Sequence, residues 1–431
     1  MVRLKIVLVT ILLLLIVIIV GPKEYEDSIQ TSVEKTEAEL EIENKVVEYL
    51  RHNHSEIHIG DKGESFDFSI LDEELEDKEI FLTGEVHGIK ANADLHMEFL
   101  KYFKEKTDFR YYLSELSYSN AYFLNKYLKT GDVQILEDIF QELKGSYSWN
   151  NDNFNFWVDL YNYNNEFPED KKIEIIGVDI ELQPITSYKY LVDVLPLEEP
   201  PLEIKKMIDN TRSNFDKMIQ SGYGATIGNA KDLQKDILNK EKIYIKYLGE
   251  HYFGFKTVVG NLLNYEIAYK NKRNQVDWNN LRDEMIYENF TLVQRRIPKG
   301  KYFGQWGVNH GFQSKEKDIK WFATYLNENK SYKEKVLTIA FNYENSLQMG
   351  KMGDKQYIIN EIDFIFPYMK LANDSIGGNM NIYKLNAANS PFEEIKMHYT
   401  FNQKPLEEPI LDFFQYILYV KDSGPTEPRY Y

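Results

Sequence analysis

The sequence predicts an α/β fold: a mainly parallel central sheet flanked by helices, with a large all-helical insertion and an N-terminal membrane anchor. From residue 66 onward, short apolar, β-prone runs alternate with amphipathic helical stretches, an order typical of βαβ units. Residues at about 186–297 show helical patterns and no convincing strand. These patterns divide the chain into an anchor (1–22), a charged helical stalk or linker (23–65) and an α/β domain (66–431).

The first 22 residues combine positive charge with an apolar run. Arg3 and Lys5 precede residues 6–20, which are apolar apart from Thr10, and Gly21-Pro22 closes the segment. The run has the length of a secretory signal core, but no small-x-small cleavage site follows it. We expect an uncleaved signal-anchor with its positive end inside, so that the body lies outside the cytoplasmic membrane. The alternative is a cleaved signal peptide and a secreted protein.

The stalk or linker is charged and helix-prone. Its apolar residues recur at roughly helical spacing, as expected for a helix with one apolar face; they include Ile29, Val33, Leu40, Val47 and Leu50. We expect this segment to connect the membrane to the folded body.

Composition excludes several classes of protein. The chain has 431 residues, 51 Lys and Arg against 68 Asp and Glu, a net charge of −17, and no cysteine. Without cysteine there is no disulfide, thiol nucleophile or cysteine-ligated metal. The negative charge argues against nucleic-acid binding, which depends on neutralising phosphates.

The α/β domain begins with a strand at 79–83, which follows the charged turn Glu76-Asp-Lys78. Before the insertion we predict further strands at 109–116 and 172–180, and helices at 92–106, 118–129, 133–143 and 154–165. Within the insertion we predict helices near 186–194, 203–220, 229–249, 255–271 and 276–296. After it we predict a strand at 301–310, a helix at 316–328, a strand at 335–342, an irregular loop at 343–378, a strand at 379–386 and a terminal helix or strand at 411–420.

Ionisable side chains recur where the predicted strands end. The first strand runs into Glu85 and His87, and later strands end at Glu115, Asp179 and His310. The carboxyl ends of parallel strands meet at one edge of a sheet, where α/β proteins bind their ligands, so we expect these groups to face one cleft. Taken singly, each has an ordinary explanation, such as a helix cap or a hydrogen-bonded turn.

Two kinds of chemistry suit such a set. Histidines and carboxylates activate water by general-base catalysis, a carboxylate fixing the imidazole tautomer. The same residue types bind a divalent metal, for which His87, His96 and His310 are candidate ligands. Neither a glycine-rich phosphate loop nor a Gly-x-Ser-x-Gly elbow is present, which argues against nucleotide binding and serine hydrolysis. These residues by themselves do not distinguish general-base catalysis from metal binding.

Several of these motifs together resemble the erythromycin esterase-like family. They occur in the family's order over residues 66–345: Gly84-Glu-Val-His-Gly88, Ser114-Glu115, Gly177-Val-Asp179 and the run from Arg282 to Asn289, Arg-Asp-Glu-Met-Ile-Tyr-Glu-Asn. The resemblance implies a hydrolase that activates water with His and Glu and without a metal. It implies that Glu85 and His87 are catalytic, that Glu115 polarises water or orients a histidine, and that Arg282 organises the carboxylates.

The function we predict is therefore extracytoplasmic hydrolysis of an ester, lactone or amide in a small-molecule substrate. No cofactor is expected. The wider superfamily also includes haem-binding lipoproteins and metal-dependent surface proteases. The alternatives are accordingly a surface protein that binds haem, iron or a partner with a degenerate site, and a metal-dependent hydrolase or protease.

Overall fold

The central element of the fold is a nine-stranded sheet. The computed structural model describes residues 35–57, 66–221, 226–353, 356–399 and 405–429. Two compact units divide the chain between residues 42 and 43, and the sheet belongs to the second unit. Its strands are β1 (His54–Glu56), β2 (Ile80–Glu85), β3 (Tyr111–Ser117), β4 (Glu174–Asp179), β5 (Tyr302–Gly307), β6 (Val336–Gly353), β7 (Gln356–Phe364), β8 (Met380–Lys384) and β9 (Tyr416–Lys421).

The strand order is β1-β8-β9-β6-β2-β5-β3-β4, with β7 paired to β6 outside this path. The six strands from β9 to β4 run parallel, whereas β1, β7 and β8 pair antiparallel with their neighbours. The prediction of a mainly parallel sheet is therefore confirmed.

Helices cover the sheet and form the insertion. They are α1 (Glu37–His52), α2 (Lys90–Thr107), α3 (Tyr118–Thr130), α4 (Val133–Gln141), α5 (Asn151–Asn164), α6 (Pro184–Asp193), α7 (Leu202–Ser221), α8 (Thr226–Asn239), α9 (Glu241–Leu248), α10 (Tyr252–Lys270), α11 (Gln275–Gln294), α12 (Phe322–Glu328) and α13 (Met369–Ile376). Helices α6 to α11 make up the predicted insertion, whose described residues contain no strand.

Both faces of the parallel sheet are buried. On β2, Ile80 and Leu82 pack into a core with Phe290 of α11, whereas Phe81 between them packs against Phe103 of α2 on the opposite face. Alternate residues of a strand point to opposite faces, so a strand covered on both sides is apolar throughout. This explains the continuous apolar run that predicts β2.

The parallel register brings the strand ends to one edge of the sheet. Glu85 at the end of β2 lies opposite Gly307 of β5, and Ser117 at the end of β3 lies opposite Asp179 of β4. The strand ends that carry the acidic residues therefore lie side by side at this edge of the sheet.

The predictions after residue 310 are less accurate. The prediction of an irregular loop at 343–378 is wrong. Strand β6 continues to Gly353 and forms a hairpin with β7, and α13 follows. This extension is polar and contains glycine, so it lacks the apolar pattern of a buried strand, and the pairing with β7 satisfies its backbone. The helix at 316–328 is also shorter, starting only at Phe322. The segment at 411–420 contributes β9, parallel to β6.

The N-terminal predictions are only partly covered by the described residues. The predicted anchor, residues 1–22, lies outside them, and among the described helices none has the length and apolar character needed to cross a membrane. Within the predicted stalk or linker, β1 pairs with β8, and Val46 and Leu50 of α1 are fully buried. This part of the segment belongs to the folded body.

Candidate active site

An acid–imidazole pair stands at the end of β2. The Nδ1 of His87 lies 2.7 Å from Glu85 Oε1, and Gln305 Nε2 donates to Glu85 Oε2 at 2.8 Å. With its Nδ1 proton directed to Glu85, neutral His87 carries its lone pair on Nε2. Burial opposes the charged imidazolium, but the Glu85 hydrogen bond and the nearby carboxylates raise the pKa of His87 above its usual value. The pair is arranged to accept a proton at Nε2.

Gly88 is required by the turn that follows this pair. Its φ of +86° lies in the left-handed region, and a Cβ there would come within 2.4 Å of the Met349 carbonyl oxygen. The same Gly88 carbonyl accepts hydrogen bonds from the backbone N–H groups of Met349 and Thr426. The glycine lets the chain turn tightly enough to direct His87 back toward the strand ends.

Arg282 of the insertion joins the acids at the ends of β3 and β4. Its Nη2 donates to Glu115 Oε1 at 2.8 Å and to Asp179 Oδ2 at 2.6 Å, and its Nε donates to Asp179 Oδ1 at 3.0 Å. Burial raises the pKa of Asp179 despite this guanidinium. For Glu115, burial is outweighed by the positive charges of His310 and Arg282, which hold its pKa well below the usual range. Glu115 is therefore an ionised carboxylate.

His310 forms a second acid–imidazole pair. Its Nδ1 lies 2.7 Å from Asp283 Oδ1, and its Nε2 lies 3.4 Å from Glu115 Oε1. Asp283 Oδ1 also accepts the backbone N–H of Phe322, and its Oδ2 is buried without a hydrogen-bond partner among the described residues. Burial disfavours the imidazolium, but Asp283 and Glu115 overcome it and raise the pKa of His310 to about 10. His310 is thus a cation at neutral pH.

This raised pKa predicts a loss of stability in alkali. The folded-state pKa of His310 is about 10 and its ordinary value 6.5, so its contribution is complete below pH 6.5 and disappears as the pH rises through 10. We expect the free energy of unfolding of the native protein to fall over this window by more than that of a His310→Gln variant. Urea titrations at several pH values measure both, and parallel curves for the two proteins would contradict the assignment.

His96 has partners different from those of the other candidates. Its ring stacks on Phe156 with the centroids 3.6 Å apart, and its Nε2 lies 2.8 Å from the Tyr112 hydroxyl oxygen. Burial lowers its pKa to about 3, so it is neutral. Helix α2 packs the ring against aromatic side chains, and its Nε2 is committed to Tyr112 rather than to an acidic group.

The predicted metal ligands do not converge. The described residues contain no group of three or more His, Asp or Glu side chains placed to hold a metal ion. His310 directs its nitrogens toward Asp283 and toward Glu115 and Arg282, while His96 is committed to Tyr112. This donor set does not fit a resident metal.

A cavity of about 290 Å³ opens beside the strand ends. Glu85, His87, Glu115 and Arg282 line it, whereas Asp179 and His310 lie behind Glu115 and Arg282. Its remaining walls come mainly from α2, α3, α4 and α5. Its volume lies at the lower end of the range of about 300–1,000 Å³ typical of drug-sized ligands. Of the helices of the insertion, α11 contributes Arg282 to the described lining.

The structure thus joins four of the six predicted catalytic residues by direct contacts: Glu115, Asp179, Arg282 and His310. The other two, Glu85 and His87, contact each other and line the same cavity as Glu115. Two hydrogen-bond partners of these residues do not lie at strand ends and were not predicted as site residues. Asp283 lies on α11, and Gln305 lies within β5. The position of Asp283 next to Arg282, in the run from Arg282 to Asn289, is the available signal for it.

Comparison with known proteins identifies the fold. No family model and no curated protein matches the sequence. Among solved structures, a succinoglycan biosynthesis protein aligns with a TM-score of 0.68 at 14% identity, over 90% of this chain and 99% of its own. A Bacillus cereus protein aligns at 0.64 and 15% identity, over 90% of this chain and 99% of its own.

A third structure bears on the motif resemblance. A mutant of erythromycin esterase EreC in its open conformation aligns with a TM-score of 0.61 at 16% identity, over 86% of this chain and 98% of its own. At such identities the likeness concerns the fold. The predicted resemblance is confirmed at that level: this chain has the fold seen in erythromycin esterase.

Proposed function

We propose that the protein is a hydrolase that cleaves an ester, lactone or amide of a small molecule with water activated by His87. The observation that carries this proposal is the Glu85–His87 pair, which lines the same cavity as Glu115 and Arg282. A carboxylate on Nδ1 orients the imidazole and stabilises the imidazolium that forms when Nε2 takes a proton. The neighbouring guanidinium supplies positive charge for a developing oxyanion.

In the proposed reaction, Nε2 of His87 takes a proton from water as the water oxygen attacks the carbonyl carbon. The negative charge that develops on the carbonyl oxygen is stabilised by the field of Arg282. The bond to the leaving group then breaks, and His87 returns its proton to the departing oxygen or nitrogen. Glu115 remains a carboxylate throughout because His310 and Arg282 hold its pKa low.

The proposal is tested by incubating the full chain with a panel of small esters, lactones and amides, with and without a chelator. We expect turnover of at least one class, unchanged by the chelator. Activity lost with the chelator would instead support a metal-dependent hydrolase. No turnover across the panel, together with a spectral shift on adding haem, would support the binding-protein alternative.

We also propose that residues 1–22 anchor the protein in the cytoplasmic membrane with its body outside. The positive residues Arg3 and Lys5 before the apolar run support this orientation. We expect the protein to stay in the membrane fraction after alkaline carbonate washing and to be digested when protease is added to intact cells. Release into the wash or protection from the protease would contradict the proposal.

A further inference from the structure

One wall of the cavity beside the strand ends is apolar, whereas Glu85, His87, Glu115 and Arg282 line another part of it. This wall is formed by apolar and aromatic side chains of α3, α4, α5 and the segment after α4: Leu124, Ile139, Phe140, Leu143, Phe156 and Trp157. Leu124 and Phe140 are 1% exposed. The wall is thus a preformed apolar surface next to the proposed site of water attack.

Three polar side chains on the same lining, those of Asn92, His96 and Ser114, already have hydrogen-bond partners. Asn92 donates to the Val86 carbonyl at 2.7 Å and accepts from the Tyr343 hydroxyl at 2.5 Å. His96 is bonded to Tyr112, and Ser114 Oγ donates to the Ile176 carbonyl at 3.2 Å. An apolar group placed against these side chains therefore leaves none of those hydrogen bonds broken.

The charges on the lining are also already paired. Glu85 holds His87, and Glu115 holds Arg282. A negatively charged acyl group would have to give up its hydration against the apolar wall, and the imidazole and guanidinium of the lining are already paired with Glu85 and Glu115. The lining consequently favours a neutral group.

The volume of the cavity favours a compact acyl group. About 290 Å³ is available, just under the range of about 300–1,000 Å³ in which drug-sized ligands are enclosed. A short branched chain or a single aromatic ring fits such a space.

We propose that this cavity selects compact, neutral substrates whose acyl group is apolar, of the size of a butyryl or benzoyl group. The acyl group packs against the wall of α3, α4 and α5, and the scissile carbonyl lies at the mouth beside His87 and Arg282. This inference rests on the proposed function for its reaction, but the binding it describes can be measured separately.

The first test uses the native full chain and a series of p-nitrophenyl esters. We expect kcat/KM to rise about tenfold from acetate to butyrate, because added methylenes gain apolar contact, and to fall again for decanoate. Benzoate should be hydrolysed about as well as butyrate, and the negatively charged hemisuccinate at least tenfold more slowly. Equal rates along the series, or a preference for decanoate or hemisuccinate, would overturn the inference.

A matched pair of variants locates the selection. Leu124 and Leu128 are both buried leucines of α3, but Leu124 lines this cavity and Leu128 lines a separate one. We expect Leu124→Ala to move the preferred ester from butyrate toward longer acyl chains, and Leu128→Ala to leave the preference at butyrate. An unchanged preference in Leu124→Ala would exclude this wall as the acyl site.

A non-hydrolysable probe separates the inference from the proposed function. Propiophenone presents the same apolar group and a ketone that water cannot cleave. Calorimetric binding of propiophenone without turnover of any ester would retain the pocket and reject hydrolysis. Ester turnover without dependence on acyl length, and without propiophenone binding, would retain hydrolysis and reject the pocket.

Discussion

Replacing His87 with alanine is expected to lower kcat for any substrate of this protein by about 10²–10⁴-fold, the usual contribution of a general base. The imidazole is held by Glu85 at 2.7 Å, and its side chain is 42% exposed at the cavity, so it is both oriented and accessible to water. Removal leaves Glu85 without a group to orient. The measurement is steady-state kinetics on the best substrate of the panel.

Two further variants make this result specific. Glu85→Gln keeps the shape of the side chain but removes the negative charge that stabilises imidazolium, so kcat should fall while KM changes little. His251→Ala is the matched control, because His251 is a half-exposed histidine of the insertion that does not line the cavity. Activity near the native level in a folded His87→Ala variant would exclude His87 as the base.

Replacing Arg282 with alanine is expected to lower the free energy of unfolding by about 3–5 kcal/mol, the cost of leaving buried charge without its partner. Asp179, whose side chain is 1% exposed, would lose both of its guanidinium hydrogen bonds, and Glu115 would lose one. Arg282→Lys should be intermediate, since an ammonium cannot make the same two-point contact with Asp179. Urea unfolding followed by circular dichroism measures each change.

The control for this experiment is an exposed arginine of the same insertion. Arg212 of α7 forms an ion pair with Asp209 at 3.6 Å, with side chains 39% and 48% exposed. Water and salt screen such a pair, so Arg212→Ala should change stability by no more than about 1 kcal/mol. If both alanine variants unfold at the same urea concentration as the native protein, Arg282 is not holding the buried carboxylates together.

The meeting of Glu85, Glu115 and Asp179 could be predicted because parallel strands constrain it. Each acid follows an apolar strand, and strands joined by helical crossovers have their carboxyl ends at the same edge. The residue pattern of each short segment was therefore enough to predict that these acids lie near one another. Arg282 is different: its partners could not be derived from spacing, and only the family resemblance indicated that it organises carboxylates.

His96 shows where sequence distance misleads. It lies nine residues after His87 and was a candidate metal ligand, but the rotation of α2 directs its ring onto Phe156. A helix places neighbours in sequence on different faces, and packing against the sheet decides which face is buried. The partnership of His310 with Asp283 likewise depends on how α11 packs beside the end of β5.

The alternation of strands and helices, the length of the insertion and the acids at the strand ends follow from local residue patterns, because hydrophobic periodicity and strand direction are properties of short segments. The hairpin of β6 and β7, the pairing of Asp283 with His310 and the apolar wall from α3 to α5 do not, because each arises when segments distant in the chain pack together. The location of the candidate site residues could thus be predicted from the sequence, whereas the shape of the cavity beside them was set by packing.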